Sequence, residues 1–334
     1  MFSNRVSVVV VTYDSAVYIP ALAASVRKQS VSVSEVVVID NSPTLKCAEA
    51  LAEYWPEARV VRPGLNLDWC KGANLGIVEA TGEYIFVINP DVTLEPSALE
   101  RLLEVMEEDK TVGAVAPKLR RLLPGDENIL DGMGIVISRS RRFTNQGEGE
   151  FDSGQYDSLE PFGFSGAATL FRRTALLDIA KYGGGKEREY YDEDFVAYKD
   201  DVDLSYRLRH RGWLLKLVPM AVANHARTAK ELKSTEGLRA DRKSKSLRIR
   251  SYSWRNHLWT IIKNEPLSSL LIASPWIISY ELVKLIYILS TEPTTLRAVV
   301  GLVKGLPKML RKRQAILTSS RISATNLRKA ITSI

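Results

Sequence analysis

Two cysteines and three histidines in 334 residues are too few for several kinds of protein. Cys47 and Cys70 form no Cys-x-x-Cys pair and stand in no cluster with a histidine, which argues against a structural zinc site or a disulfide scaffold and fits a reducing compartment. Glycine (20) and proline (14) are too sparse for a collagen-like or low-complexity chain, and 45% apolar residues leave ample surface to bury a core. The N-terminus runs from Met1 to Arg5 straight into VSVVVVTYDS, too short for a signal-peptide core and without a small-residue cleavage site, so it reads as a strand and no export is implied. That strand is not followed by G-x-G-x-x-G, which argues against a dinucleotide oxidoreductase. No repeat of solenoid period is visible.

The charge that is present is unevenly placed. Residues 1–225 hold 25 Lys and Arg against 33 Asp and Glu, whereas residues 226–334 hold 21 against 6, so the net +7 belongs to the C-terminal third. Such a third suits a polyanionic surface. Its apolar content favours an anionic membrane leaflet over nucleic acid, because apolar side chains would be wasted on phosphates.

The first half alternates β-branched runs with amphipathic segments, the pattern of a mostly parallel, Rossmann-like α/β sheet flanked by helices. Strands are expected at Val6–Thr12, Val36–Asp40, Arg59–Arg62, Tyr84–Ile88 and Val112–Ala116, and helices at Ile19–Lys28, Leu45–Tyr54, Gly72–Ala80 and Ser97–Glu107, the last capped by Ser97. Residues 119–164 read as hairpins and loops, VPMAVANHA as a strand ending at His225, and the basic stretch 227–250 as a loop. Ligands collect at the carboxyl ends of strands in such sheets, which directs attention to Thr12-Tyr13-Asp14, Asp40-Asn41-Ser42 and Asn89-Pro90-Asp91.

Seven blocks then fall in a telling order: VVVVTYDS, VVIDNS, NLDWCKGANLG, INPD, GEGEFDSGQYD, GFSGAATLFRR and DEDFVAYKDDVDLSYRLRHRGW. On these blocks residues 5–260 resemble the family-two inverting glycosyltransferases of the GT-A fold, especially their bacterial rhamnosyltransferase branch. The resemblance implies that Thr12, Tyr13 and Asp14 hold the pyrimidine and ribose of a nucleotide-diphospho-sugar, with Asp40 accepting from the base N3–H. Asn66, Lys71, Gly72 and Asn74, around the start of a helix, would face phosphate. Asp91 stands at the metal-binding Asp-x-Asp, with Asn89 in place of the first aspartate. Mg2+ or Mn2+ would then rest on Asp91, the diphosphate and water, with His225 completing the site. Asp201 matches the base of the family's Glu-Asp motif and Asp200 stands where glutamate is usual, which leaves open which of the two is the base. Gly166 would line the acceptor entrance together with Trp213, and Arg255 would reach the diphosphate; Trp254 and Trp259 suit a core or a membrane interface.

The expected organisation is a catalytic domain over 1–260 and a helical, basic extension over 261–334. Residues 270–289 are long enough to span a bilayer but contain Pro275, Glu281 and Lys284. Glu281 and Lys284 are spaced to pair, and Trp276, Tyr280 and Tyr287 suit a headgroup boundary. Lys304, Lys308, Arg311, Lys312 and Arg313 form a basic segment fit for anionic lipid. A helical hairpin over the catalytic domain or a homodimer interface is the alternative. The resemblance implies transfer of rhamnose from dTDP-rhamnose to a lipid-linked or polysaccharide acceptor at the cytoplasmic face of the membrane. A UDP-sugar hexosyl or N-acetylhexosaminyl transferase, or a noncatalytic nucleotide-binding scaffold, stands beside that reading.

Overall fold

The structure is a computed structural model that describes residues 5–122, 128–182, 188–226 and 247–331. Of the basic stretch 227–250, residues 227–246 lie outside the described residues and 247–250 are helical. In chain order the first part comprises β1 (Val6–Thr12), α1 (Ile19–Arg27), β2 (Glu35–Asp40), α2 (Lys46–Tyr54), β3 (Arg59–Val61), α3 (Asp68–Glu79), β4 (Tyr84–Ile88), β5 (Val92–Leu94), α4 (Ala98–Glu108) and β6 (Val112–Arg121). There follow β7 (Leu130–Gly132), β8 (Ile135–Ile137), β9 (Phe143–Asn145), β10 (Ala168–Arg172), α5 (Arg173–Tyr182), α6 (Asp200–His210) and β11 (Leu214–His225). Four helices complete the chain: α7 (Leu247–Asn264), α8 (Leu267–Thr291), α9 (Ala298–Thr318) and α10 (Ala324–Ala330).

The alternating valines of β1 explain the centre of the fold. Val6, Val8 and Val10 enter one apolar cluster and Val9 and Val11 the other, so helices must cover both faces. Strand β1 pairs in parallel with β2 and β4, and β2 with β3, as the sequence pattern requires. Beyond β4 the sheet is mixed: β10 inserts antiparallel between β4 and β6, β11 runs parallel to β6, and β5 closes the edge. Strand β6 runs five residues past its expected end at Ala116 because β7 and β11 flank that extension. Strands β8 and β9 form the hairpin expected of the Gly-rich stretch.

Two local expectations are corrected. Ser97 stands at the N-cap of α4, but its side chain makes no capping bond. Helix α3 starts at Asp68, four residues earlier than expected, where Asn66 Oδ1 accepts from the Asp68 N–H at 2.8 Å. The glycines of α3 set how closely it lies on the sheet, since a Cβ at Gly72 would come within 2.9 Å of Val11 Cγ1 and one at Gly76 within 2.4 Å of Val9 Cγ1.

The boundary expected between 260 and 261 falls inside α7, so no linker separates an extension there. Instead the C-terminal helices are bonded into the sheet-bearing part. His210 Nε2 lies 2.8 Å from the Asn264 carbonyl and its Nδ1 3.0 Å from Ser320 Oγ, while Tyr206 donates to Glu265 at 2.7 Å. Helix α8 lies along this body with Ser269, Ala273 and Ile288 turned inward, and Glu281 meets His257 at 2.8 Å and Lys284 at 3.5 Å. Its other side carries exposed Leu271, Ile272, Trp276, Leu282, Val283 and Ile286. Trp254 and Trp259 are both buried, the core option for that pair.

Candidate active site

The carboxyl ends of β1, β2, β4 and β11 converge, and most residues expected of a site gather there. Thr12 ends β1 beside Asp40, which ends β2, because the two strands are in parallel register. The Asp40 carboxylate is wholly buried: its Oδ1 accepts from Thr12 Oγ1 at 3.1 Å and the Ser42 N–H at 3.0 Å, and its Oδ2 forms an ion pair with Arg62 Nε at 3.0 Å. Tyr13 beside it is 53% exposed. Asp14 takes a left-handed backbone (φ 50°), held by its N–H donating to Ser42 Oγ. Arg62, one residue beyond β3 and the last residue of the strand expected at Arg59–Arg62, is a site residue that the sequence reading did not single out.

The start of α3 divides the residues expected to face phosphate. Lys71 is exposed and Asn66 lies at the exposed start of the helix. Gly72 is buried against Val11, a packing role. Asn74 is corrected: its amide is buried and turned to the protein, donating to the Tyr191 carbonyl at 2.8 Å and accepting from the Tyr190 and Tyr191 N–H groups, so it ties α3 to the acidic segment.

Asp91 and His225 meet because β5 and β11 pair with His225 opposite Val92. His225 Nε2 lies 3.3 Å from Asp91 Oδ2, and its Nδ1 lies 2.9 Å from Asp131 Oδ2. Burial opposes charge on this imidazole, yet hydrogen bonds and charges from Asp131 and Asp91 raise it to about 9. An orienting carboxylate on one ring nitrogen leaves the other aimed at Asp91, the arrangement of a metal-binding histidine with its supporting partner. Among the described residues no three His, Cys, Asp or Glu form a metal cage. The donor set is therefore one carboxylate and one imidazole, which fits Mg2+ or Mn2+ completed by phosphate oxygens and water. Asp131, in the middle of β7, was not singled out from sequence.

Asp200 and Asp201 open α6. The turn before them is held in left-handed conformations at Val196, Tyr198 and Lys199, strain of the kind that functional sites retain. Asp201 accepts from the Val202 N–H at 2.8 Å and, through Oδ2, from the Gly166 N–H at 3.3 Å. Asp200 is more deeply buried. Burial first, then the charge of Asp201, raises Asp200 to about 8; burial also raises Asp201. Both border a cavity of about 640 Å3 lined also by Trp69, Asn89, Gly166, Lys199 and His225.

The strained turn is held from behind. Asn256 Nδ2, on α7, lies 2.8 Å from each of the Phe195, Ala197 and Tyr198 carbonyls. Arg255 does not line the cavity: its Nη2 donates to the Asp194 carbonyl at 2.9 Å, and its guanidinium lies 4.1 Å over Trp259. That corrects the expected donor contact. Deeper still, Lys312 meets Glu189, Asp192 and Asp194 at 2.7, 2.6 and 3.0 Å, and Lys263 meets Asp192 and Asp203. Lys312 is thus buried in an ion-pair cluster and Lys308 pairs with Asp194, so neither is free for lipid. Trp213 is corrected as well. It precedes β11, roughly 35 Å of strand away from His225 at about 3.3 Å per residue, and its indole donates to Asp178 at 3.0 Å.

Comparison with known proteins agrees with this geometry. The model of glycosyl transferase family 2 matches residues 7–179. The chain is 27% identical over 244 residues, 65% of its own length and 75% of the relative's, to the N-acetylglucosaminyl-diphospho-decaprenol L-rhamnosyltransferase of Mycobacterium tuberculosis. It is 22% identical over 196 residues, 56% of its length, to 42% of the poly-beta-1,6-N-acetyl-D-glucosamine synthase of Staphylococcus aureus. In fold it resembles a mannosyltransferase of Pyrobaculum calidifontis solved with GDP-Man and Mn2+, with a TM-score of 0.53 and 18% identity over 96% of this chain and 86% of that one. It also resembles GalNAc-T7 solved with UDP, GalNAc and Mn2+, with a TM-score of 0.59 and 15% identity over 78% of this chain; the match spans about half (48%) of the GalNAc-T7 chain.

Proposed function

The chain belongs to glycosyl transferase family 2 and is a glycosyltransferase; from that premise we propose that it is an inverting enzyme that moves rhamnose from dTDP-rhamnose to a lipid-linked acceptor in cell-surface glycan synthesis. The observation that carries the chemistry is the Asp200–Asp201 pair at the start of α6, open to the cavity that Gly166, Asn89 and His225 share. Asp201 is the base, since it is the more exposed of the two and Asp200 at about 8 holds its proton at neutral pH. The acceptor hydroxyl gives its proton to Asp201 while its oxygen bonds to the anomeric carbon from one face. On the other face the bond to the nucleoside diphosphate breaks, and its electron pair leaves with the diphosphate. Asp40 with Thr12 and Tyr13 receives the pyrimidine, Arg62 giving up part of its hold on the carboxylate. Asp91 and His225 would hold a divalent cation, the imidazole giving up the Nε2 proton that Asp91 holds in the cation's absence, and the cation would supply positive charge for the leaving diphosphate. Similarity to a rhamnosyltransferase supports rhamnose as the donor sugar; a UDP-hexose or UDP-N-acetylhexosamine is the second reading, because no side chain among the described residues distinguishes the sugars.

The enzyme docks in the plane of the cytoplasmic face of the membrane rather than spanning it. By length and composition α8 is apolar enough to cross. Its inward side, however, is bound to the body through Glu281, Ala273 and Ile288, leaving one apolar side outward, and exposed Val299, Val300 and Val303 of α9 extend the apolar surface. Lys304 and Arg311 remain exposed for anionic headgroups. The test is release of nucleoside diphosphate from a panel of activated sugars with and without N-acetylglucosaminyl-diphospho-decaprenol. Release from dTDP-rhamnose that depends on this lipid supports the reading, release from a UDP-sugar alone selects the second, and no transfer from any donor overturns both.

A further inference from the structure

Behind the catalytic cavity lies a second one, of about 380 Å3, where α7 faces the start of α9. Three arginines line it, Arg248, Arg255 and Arg297, together with Tyr252, Ala298 and Gly301. Arg255 is held by Asn256 Oδ1 and the Asp194 carbonyl through Nε and Nη2, which leaves its Nη1 for the pocket, and the other two have no buried ion-pair partner. Arg248 is 62% exposed and pairs at the surface with Asp68 at 3.0 Å. Arg297 is exposed, with no hydrogen bond or ion pair to another described residue. Arg255 is fixed by stacking between Tyr252 at 4.8 Å and Trp259 at 4.1 Å, and a Cβ at Gly301 would stand only 3.9 Å from its Nη1, so that end of the guanidinium faces the glycine on α9. With Asp68 counted against them, three guanidiniums leave a net charge of +2.

No lining residue is common to the two cavities, but direct contacts join their walls. Arg248 grips Asp68, next to Trp69, which lines the catalytic cavity; Arg255 donates to the Asp194 carbonyl, at the head of the segment whose Ala197 to Asp201 line it. On its far side the smaller cavity is bounded by Ala298 and Gly301, beside exposed Val299 and Val300 of the apolar surface. By contact, the arginines thus adjoin the catalytic cavity's residues on one side and the apolar face on the other.

We propose that this second cavity is a subsite for a diphosphate diester, and that its occupant is the diphosphate joining lipid to sugar in the acceptor. The group carries two negative charges, matching the pocket, and planar guanidiniums bind phosphate oxygens in bidentate fashion. A sugar–diphosphate–lipid molecule presents its parts in the same order as the protein surface. The donor's diphosphate has the same chemistry but no apolar tail, so contact with α9 favours the acceptor. The proposal rests on the lipid-linked acceptor assigned above.

The test compares wild type with Arg297→Gln and Arg248→Gln, both exposed positions whose replacement spares the core. Initial rates are measured against N-acetylglucosaminyl-diphospho-decaprenol and against octyl N-acetylglucosaminide, which lacks the diphosphate, and binding of the nucleoside diphosphate is followed by calorimetry. Loss of one charged phosphate contact raises KM for the diphosphate acceptor roughly tenfold to a hundredfold, with KM for the octyl glycoside and nucleotide affinity unchanged. Equal effects on the two acceptors, or none, overturn the subsite while leaving the proposed function standing. A fall in nucleotide affinity instead assigns the pocket to the donor and also overturns it. If wild type uses the octyl glycoside as well as the diphosphate lipid, or uses neither, the lipid-linked acceptor itself fails and the subsite with it.

Discussion

Replacing Asp200 with asparagine should change how the protein depends on pH more than how fast it works. Burial and the neighbouring charge of Asp201 lift the Asp200 carboxyl from 3.8 to about 8. At about 1.4 kcal/mol per pKa unit, charging it inside the protein costs of order 6 kcal/mol, an upper bound because the pair titrates as a unit. The folded state thus binds this proton more tightly than the unfolded chain does. Stability from the neutral form is complete below about pH 4 and is lost as pH rises toward 8. An amide keeps the shape without the charge, so Asp200→Asn should melt higher than wild type at pH 8.5, by at least a few degrees if even about 2 kcal/mol is recovered, and the gain should vanish near pH 4. In the pH profile of transfer, the step near pH 8 should disappear while turnover at pH 7 persists. Asp201→Asn should lose about 10² to 10⁴ in rate at every pH, the usual worth of a general base, with nucleotide binding intact. A melting gain equal at both pH values would mean that Asp200 is not held protonated. Near-wild-type turnover in Asp201→Asn beside an inactive Asp200→Asn would reverse the two roles.

Lys312→Met should lower the urea midpoint by the equivalent of about 3 to 5 kcal/mol, because Glu189, Asp192 and Asp194 lose a buried cation; an unchanged midpoint would refute that weight for the cluster. Asp91→Ala, or excess chelator on the wild type, should abolish transfer, and adding Mn2+ back should restore only the wild type; full activity in chelator would show that side chains alone neutralise the leaving diphosphate. The double change Leu282→Asp and Ile286→Asp, on the exposed side of α8, should stop sedimentation with anionic liposomes at low salt without lowering the melting temperature. Unchanged sedimentation would remove α8 from the docking surface.

The parts readable from the sequence were those that depend on short-range order. The valines of β1 declare a doubly covered strand by themselves, and the parallel register then carries Thr12 and Asp40 to one edge, so the meeting of these two residues is legible in the sequence. The Asp200–Asp201 pair was visible for the same reason, since adjacent residues at a helix start need no long-range information to be found together. What only the tertiary structure decided is how distant segments spend their polar groups. Asn74 looked available and is taken up by Tyr190 and Tyr191, more than a hundred residues away. Trp213 follows the acidic motif closely in sequence, yet it sits at the far end of β11 from His225, because α6 must turn back before the strand returns to the site. Lys312 read as a charge for lipid and lies in the interior instead, because three carboxylates from the segment 189–194 surround it. Local pattern fixes periodicity and therefore elements. Burial of a charge or an amide is settled by whichever partner folding brings to it, and that partner lies far along the chain.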